Sequence, residues 1–325
     1  MTYQRAQITR HGGPDVIEWI EGDLPSPGPG EVLIAHEAVG LNFIDTYHRR
    51  GIYPIPLPSG LGLEAAGRIV ALGDGVTGHR EGDRIAYIGP GLGAYATHRV
   101  MPASALFPLP DHVSCELAAA ALIKAFTVEA LVERCAHVKA GDTVLVHAAA
   151  GGVGLLMVQW LAHLGVEVIG TVSSDAKAEL AHKAGAAHII RYDHEPVASR
   201  VRELTLGKGV PVVFDGVGMA TWEASLDSLC PRGLLVSFGN AGGAVEGIGL
   251  GTLAAKGSLF VTRPTIFHYY ATPEERDLGT RRVYDLLAQG VLTVTIGQRY
   301  PLLEAAQAHR DFEARVTTGS GVLVP

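Results

Sequence analysis

The sequence predicts an α/β chain that combines a β-rich first domain with a doubly wound parallel sheet. Its 325 residues are enough for roughly two domains at about 150 residues each. The first 115 residues read as short strands and turns, whereas strand-like and helix-like segments alternate between residues 143 and 262. Such alternation is typical of a parallel sheet with helices on both faces.

The β-rich domain is predicted from apolar runs that lie between turn clusters. Residues 32–35, 65–72 and 84–88 are apolar and rich in strand-forming side chains. Proline and glycine crowd the segments around them, at residues 25–30, 54–58 and 89–91. Because these residue types favour turns, the pattern predicts an irregular all-β domain.

The parallel sheet is predicted to follow an alanine- and leucine-rich helix at residues 116–134. Its strands are expected at residues 143–148, 167–172, 187–190, 210–215, 234–238 and 258–262. Its helices are expected at residues 153–164, 176–184, 197–205 and 221–229. Six strands make a complete doubly wound unit.

The last 60 residues predict two helices and a closing strand. Thr272 and Glu275 flank Pro273 in the pattern of a capping box, and Gly290 is placed to end that helix. A second helix is expected at residues 301–315, and a strand at 321–324 that returns to the first domain. We therefore assign residues 1–122 to the first domain, 123–264 to the second, and 265–325 to completion of the first.

Charge and cysteine content exclude several classes of protein. A net charge of −7 without a basic block is atypical of a nucleic-acid-binding surface. Three widely spaced cysteines exclude a disulfide framework or a cysteine zinc cage and favour a reducing, cytoplasmic setting. No apolar segment follows the N-terminus, so no secretion signal is expected. The apolar stretch 143–164 is interrupted by glycines and histidines, which favours a strand, a turn and a helix over a membrane span.

The strongest chemical signal is the small-residue turn that ends the strand at residues 143–148. Ala149, Gly151 and Gly154 follow the spacing of a dinucleotide-binding turn, with alanine at the first position and Gly152 in addition. Small residues let the chain reverse, let its backbone approach a pyrophosphate and let the helix pack close to the strand. The helix N-terminus would then face the phosphates. A tight turn without a ligand is the alternative interpretation.

The end of the next strand favours NADPH over NADH. An acidic residue about 20 residues after the glycine turn would hold the ribose 2′-hydroxyl of NAD. Here the strand ends in Ser173 and Ser174, and Lys177 follows on the next helix, a set that suits a 2′-phosphate. Asp175, the nearest acid, falls late and is expected to point away. Ser174 as an ordinary N-cap and Lys177 as a solvated residue are the alternatives.

Longer motifs resemble one family nearly from end to end. They are residues 11–14, 40–47, 50–54, 58–67, 148–154 and 237–240. Together they resemble the quinone oxidoreductase group, the zeta-crystallin-like branch of the medium-chain dehydrogenase/reductases. The resemblance implies a GroES-like catalytic domain, a Rossmann domain that binds NADPH, a small-molecule quinone substrate and a homodimer.

The resemblance also implies positions for the site. Cofactor contacts are expected from Asn42, Phe43, Ile44, Asp45, Thr46, Tyr47, Gly151, Gly152, Val153, Ser173, Ser174, Lys177, Tyr192, Ser237, Phe238, Gly239, Asn240, Thr262, Arg263, Pro264 and Arg315. The family often has a tyrosine at position 129 and a serine at position 216, where this chain has Glu129 and Gly216. Both departures are expected to weaken only peripheral contacts.

No metal is expected. Zinc alcohol dehydrogenases of the same superfamily use a cysteine and a histidine where this chain has Asn42 and Leu63. Their structural-zinc cysteines have no counterpart between Tyr87 and Ala105. An amide and an alkyl side chain cannot replace a thiolate and an imidazole around zinc.

Catalysis would then rest on positioning and electrostatics. We expect Asn42 and Tyr47 to orient the nicotinamide or donate to a quinone oxygen, Tyr53 to wall the cleft, and Arg263 to assist developing charge. The two tyrosines as packing aromatics are the alternative. Reduction of the C=C bond of an enone or enal, and a non-catalytic, crystallin-like role, remain open. No residue selects one- or two-electron transfer, and none decides between a dimer and a tetramer.

Overall fold

The computed structural model describes residues 3–89, 91–314 and 316–325. The chain divides into two compact units, one containing the chain up to Ile123 together with Val294–Pro325, and the other Lys124–Thr293. Residues 265–293 therefore group with the second unit, whereas the sequence assigned them to the first. The reason lies in polar contacts: Arg282 donates to Glu133 at 2.8 Å, and Tyr270 donates to the backbone oxygen of Phe126 at 3.0 Å.

Strands and helices are numbered along the whole chain. The first unit contains β1 (Tyr3–Gln7), β2 (Glu18–Gly22), β3 (Glu31–Leu41), α1 (Phe43–Arg50), β4 (Glu64–Leu72), β5 (Arg84–Ile88), β6 (His98–Pro102) and β7 (Leu106–Pro108). Helix α2 (Cys115–Glu129) contains the boundary between the units, and β14 (Ile296–Pro301), α10 (Ala305–Glu313) and β15 (Ser320–Val324) belong to the first unit.

The larger sheet of the first unit has the strand order β14-β15-β3-β4-β5-β7, and β6 also pairs with β3. Strand β15 pairs antiparallel with β3, so the predicted return of the closing strand to the first domain is confirmed. Ile34, Val39 and Leu41 of β3 pack in one buried core with Leu302, Phe312 and Leu323 from the end of the chain. The C-terminal segment thus completes the core of the β-rich unit.

Helix α1 is the main departure from the all-β prediction for this unit. Asn42 precedes the helix in an extended conformation, and its backbone N–H donates to the Asp45 carboxylate at 2.9 Å. Gly51 ends the helix at a φ of 77°, a left-handed conformation that glycine adopts without strain. The helix is only eight residues long, too short for its periodicity to stand out from the surrounding turns.

The second unit contains β8 (Thr143–Val146), α3 (Gly152–His163), β9 (Glu167–Val172), α4 (Asp175–Lys183), β10 (His188–Arg191), α5 (Val197–Leu204), β11 (Val210–Asp215), α6 (Trp222–Ser228), β12 (Leu229–Ser237), α7 (Gly251–Ala255), β13 (Phe260–Thr262), α8 (Ile266–Tyr269) and α9 (Pro273–Ala288). Its six strands are parallel in the order β10-β9-β8-β11-β12-β13. This is the doubly wound arrangement that the alternation predicted, and its strand order reverses between β8 and β11.

The helices around this sheet follow the predicted signals closely. Thr272 accepts from the Glu275 N–H at 3.2 Å and Glu275 accepts from the Thr272 N–H at 3.0 Å, which confirms the capping box of α9. Helix α2 ends at Glu129, and Ala130–Ala136 continue it as a π-helix, so the predicted helix to residue 134 spans two helical types. Within the described part of the chain, no helix has the length and apolarity needed to cross a bilayer.

Candidate functional site

The turn between β8 and α3 is built for close backbone packing. Ala148 adopts a left-handed conformation with a φ of 52°, and the Ala149 N–H donates to the Thr171 oxygen of β9 at 3.1 Å. A Cβ at Gly154 would lie 2.2 Å from the Ala148 oxygen, so no side chain fits at that position. Helix α3 therefore approaches the end of β8 as closely as a backbone allows, the role predicted for the third glycine of the motif.

This packing places the N-terminus of α3 at the carboxyl edge of the sheet. Gly151 is the N-cap residue, and no side chain caps this end of the helix. The first N–H groups of a helix have no acceptor within the helix, and its dipole makes this end positive. A pyrophosphate fits both features, because its oxygens would accept from those N–H groups.

The segments after β9 and β10 form a second part of this edge. Ser174 is the N-cap of α4, and its hydroxyl accepts from the Lys177 N–H at 3.3 Å, as the capping alternative anticipated. Ser173 precedes it, and Tyr192 follows β10 with 48% of its surface exposed. The Asp175 carboxylate contacts Arg191, a residue that the sequence analysis did not consider.

The ends of β12 and β13 form a third part, and Arg263 joins them. Its guanidinium donates to the Ser237 hydroxyl at 3.1 Å and to the Gly239 oxygen at 2.9 Å. Phe238 lies over Gly216, where a Cβ would come within 2.8 Å of its ring. The phenylalanine therefore fills the space that a serine at position 216 would require. Arg263 therefore has a structural role, because it joins the segments that follow β12 and β13.

The second unit thus brings most predicted cofactor residues to one edge. The members after β8 are Gly151, Gly152 and Val153; those after β9 are Ser173, Ser174 and Lys177; Tyr192 follows β10, Ser237 ends β12 ahead of Phe238, Gly239 and Asn240, and Thr262 ends β13 ahead of Arg263 and Pro264. In doubly wound sheets, ligands bind outside the carboxyl ends of the strands near the point where strand order reverses. Arg315 lies outside the described residues.

A buried polar network that the sequence did not predict lies at this edge. Ser225 lies between Asp215 and His147, with its hydroxyl 2.7 Å from the carboxylate and 3.1 Å from the imidazole. Asp215 also accepts from the N–H groups of Val217 and Gly218, at 2.7 and 3.0 Å. Burial lowers the pKa of His147 below its ordinary value. The network ties together β8 and β11, the two strands between which the strand order reverses.

The predicted residues of the first unit lie around helix α1. Asn42 is buried, and its amide nitrogen donates to the Glu64 carboxylate at 3.0 Å. Glu64 is fully buried and also accepts from the Ile123 N–H at 2.6 Å. A Cβ at Gly40 would lie 2.3 Å from the same carboxylate, so the packing around it is tight. Glu64 therefore fixes the orientation of the Asn42 amide.

The other face of α1 is held by a hydrogen-bonded chain of buried side chains. The Tyr95 hydroxyl lies 3.0 Å from the Asp45 carboxylate and 2.9 Å from Nε2 of His309. Arg49 lies 3.0 Å from Nδ1 of His309 and pairs with Glu313 at 2.6 Å. These residues come from three segments that are far apart in sequence, and Arg49, Asp45, Tyr95 and His309 are all fully buried.

The chemistry of its members gives this chain of hydrogen bonds a direction. Arg49 is only a donor, so Nδ1 of His309 accepts and Nε2 carries the proton. Nε2 then donates to the Tyr95 oxygen, and the Tyr95 hydroxyl donates to Asp45. A guanidinium does not release its proton in proteins, so no proton passes through Arg49. This series of hydrogen bonds therefore positions Asp45 and helix α1 and does not carry protons from solvent.

The aromatic residues of this unit pack against one another. The rings of Tyr47 and Tyr53 meet edge to face at 5.3 Å, and Tyr53 also meets His48 at 6.0 Å. Tyr47 is only 5% exposed, so most of its ring packs, as the alternative interpretation proposed. Phe43 stacks on Phe312 of α10 at 5.4 Å. Ile44 and Thr46 complete the predicted segment within α1.

Glu129 shows how the chain accommodates its departure from the family pattern. It is buried and pairs with Arg134 at 2.9 Å. The Tyr270 hydroxyl donates to its second oxygen at 2.5 Å, which places a phenol beside this position from another segment. Burial and the Glu129 carboxylate raise the pKa of Tyr270 far above its ordinary value. The buried carboxylate thus has both a cation and a phenol as partners inside the unit.

The residues around Asn42 do not fit a zinc ion. Zinc sites in proteins use thiolate, imidazole and carboxylate ligands, whereas Asn42 supplies an amide whose N–H points toward the Glu64 carboxylate. Leu63 offers no ligand atom. Across residues 3–89, 91–314 and 316–325, no three His, Cys, Asp or Glu side chains are arranged to hold a metal.

Comparison with known proteins agrees with both units. The model of the alcohol dehydrogenase GroES-like domain matches residues 28–111, and that of the zinc-binding dehydrogenases matches residues 152–272. The chain is 51% identical to a quinone oxidoreductase of Pseudomonas aeruginosa, over 99% of both chains. It is 44% identical to a 2-haloacrylate reductase of a Burkholderia species, over 98% of both. The structure of Escherichia coli quinone oxidoreductase complexed with NADPH superposes with a TM-score of 0.97 at 46% identity, over 99% of this chain and 100% of that one.

A GroES-like domain followed by a Rossmann domain defines the medium-chain dehydrogenase/reductase class. Within that class, the chain belongs to the quinone oxidoreductase family. The fold class and the family predicted from the sequence are both confirmed.

The fully buried His309 of the first unit predicts acid sensitivity. Burial, with Arg49 alongside, lowers the pKa of His309 to about 3, whereas an unfolded imidazole titrates at about 6.5. Between these values the unfolded chain binds a proton that the folded chain does not, so the free energy of unfolding falls as pH decreases. We expect the melting temperature to fall from pH 7 to pH 5, and His309→Gln to flatten this slope. An equal slope in His309→Gln would contradict the assignment, and the exposed His268→Gln serves as the unchanged control.

Proposed function

We propose that this chain is an NADPH-dependent quinone reductase that works without a metal. The observation that carries the proposal is the packing of the small-residue turn against α3, which opens a helix N-terminus at the carboxyl edge of the sheet. Relatives named quinone oxidoreductase, and the NADPH complex of one of them, supply the substrate class and the cofactor. When bound, NADPH supplies the reducing equivalents.

The roles of the second unit follow from its edge. Gly152 and Val153 offer their N–H groups to the pyrophosphate. Gly151, whose N–H already donates to the Ala148 oxygen at 2.9 Å, lets the backbone approach the pyrophosphate. Ser173, Ser174, Lys177 and Tyr192 surround the 2′-phosphate end, where hydroxyls and a cation suit a dianion. Residues 237–240 and 262–264 border the nicotinamide half, and the hydrogen bonds of Arg263 keep those two segments together.

The roles of the first unit follow from helix α1. Asn42 faces the nicotinamide with the amide atoms that Glu64 leaves available, because one N–H is already donated to that carboxylate. Tyr53, which packs edge to face against the buried Tyr47, walls the cleft for a flat quinone. The Tyr47 hydroxyl orients the nicotinamide or donates to a quinone oxygen. A quinone is electron-poor and becomes aromatic on reduction, so positioning and hydrogen bonding suffice without a Lewis acid.

Steady-state kinetics with a 1,4-quinone test this function. We expect NADPH oxidation that is insensitive to a chelator, with NADPH preferred over NADH. Lys177→Ala is expected to raise KM for NADPH by about tenfold and to leave NADH unchanged, because one charge-assisted contact is lost. Lys183→Ala, on the exposed last turn of the same helix, is the matched control. Loss of activity on chelation, or equal effects of the two variants, would contradict the proposal.

A second candidate is reduction of an activated C=C bond. The 44% identity to a 2-haloacrylate reductase over nearly the whole chain favours it specifically. The carboxyl edge of the parallel sheet would bind the cofactor in the same way, and only the electron acceptor would differ. An α,β-unsaturated aldehyde or acid offered beside the quinone separates the two activities. NADPH binding without turnover of either acceptor would favour a non-catalytic role.

The homodimer and the cytoplasmic setting are part of the same proposal. Strand β13 has a single neighbour in its sheet, so one row of its backbone groups is available for pairing. Phe260 on that strand is 61% exposed and Val261 is 38% exposed. A second copy of the chain would cover both. Cys115, Cys135 and Cys230 form no disulfide, which suits a reducing compartment.

Sedimentation tests the proposed dimer. Phe260→Asp is expected to shift the chain toward monomer, because a charge on the edge strand opposes pairing and must be desolvated on association. Leu206→Asp introduces the same charge at another exposed apolar residue and is expected to leave the mass unchanged. A wild-type monomer, or a dimer that survives Phe260→Asp, would contradict this interface.

A further inference from the structure

Arg191 stands at the same edge as the proposed 2′-phosphate site, although it is distant from that site in sequence. It is the last residue of β10 and pairs in register with Val172, the last residue of β9. Ser173 and Ser174 follow Val172 directly. The parallel pairing of β9 and β10 therefore brings Arg191 beside the start of helix α4.

Two carboxylates hold the guanidinium of Arg191 in different ways. Asp193 accepts from Nε at 2.9 Å and from a terminal nitrogen at 2.7 Å, a two-point contact that fixes the plane of the group. The other terminal nitrogen contacts Asp175, the first residue of α4. Hydrogen bonds from Arg191 lower the pKa of Asp193 to about 2.

Asp175 and Asp193 also differ in how readily their side chains can move away from Arg191. The Asp175 side chain is 97% exposed, while those of Asp193 and Arg191 are 37% and 19% exposed. Asp175 occupies the first turn of α4, where a helix attracts an anion. It therefore neutralises Arg191 at the place where a phosphate would bind, and it can swing into water at little cost.

We propose that Arg191 is a specificity-determining residue for the phosphorylated cofactor, fixed by Asp193 and masked by Asp175 until the 2′-phosphate displaces that carboxylate. The inference rests on the proposed NADPH-dependent function and names a cation of its binding site beyond Lys177. With Asp175 in place, the charges of Arg191 and Lys177 are balanced by those of the two aspartates. The preference for NADPH is then limited by the aspartate that competes with the phosphate.

Calorimetric binding of NADPH and NADH to the full chain tests the assignment without requiring turnover. Arg191→Ala is expected to weaken NADPH by about tenfold and to change NADH by less than about twofold. Asp175→Asn is expected to tighten NADPH by about two- to fivefold, because an exposed ion pair no longer competes. Arg200→Ala is the matched control, since it removes another paired arginine of the same unit with the same change of charge.

The outcomes separate this inference from the function on which it rests. Opposite shifts of NADPH affinity in Arg191→Ala and Asp175→Asn, with NADH and the control unchanged, support it. If wild-type protein binds NADPH but neither variant changes the ratio of the two affinities, Arg191 has no role in specificity and the inference is overturned. If wild-type protein binds neither nucleotide, the proposed function itself is wrong.

Discussion

The close approach of helix α3 to the end of β8 is the constraint on which the cofactor edge depends. Gly154 leaves no space for a side chain against the Ala148 oxygen, and Gly170 leaves almost none against Ala149, where a Cβ would lie 2.8 Å away. The first contact brings the helix close to the end of β8, and the second brings the turn close to β9. The serines after β9 and the segments after β12 and β13, which the Arg263 hydrogen bonds join, complete the same edge.

The first unit uses buried charged side chains to hold the short helix α1 in a fixed position. Hydrogen bonds through His309 and Tyr95 link the Arg49 guanidinium to the Asp45 carboxylate. Glu64 fixes Asn42 on the other side. Removing one member of such a network leaves a buried group unsatisfied, at a cost of about 1–3 kcal/mol. The geometry of α1 is thus set by residues that need not touch a substrate.

Local sequence patterns predicted the strands, helices and caps that depend on residues close together in the sequence. The alternation of strands and helices gave the second unit, and the pattern at Thr272 gave the start of α9. The patterns did not reveal contacts between residues that are distant in the chain, such as Tyr95 with His309 or Arg191 with Asp175. The packing of distant segments against one another creates such contacts, and no short window of sequence contains it. The grouping of residues 265–293 with the second unit depends on contacts of the same kind, since their partners lie near residue 130.

The affinity of Gly154→Ala for NADPH measures how far nucleotide binding depends on the packing of α3 against the end of β8. The added methyl group must push α3 away from the Ala148 oxygen, so we expect a folded protein that binds NADPH at least about tenfold more weakly than wild type, a loss of about 1.4 kcal/mol. Gly251→Ala adds the same group where nothing lies within 4 Å and should bind NADPH as wild type does. Wild-type affinity in Gly154→Ala would show that nucleotide binding does not depend on this packing.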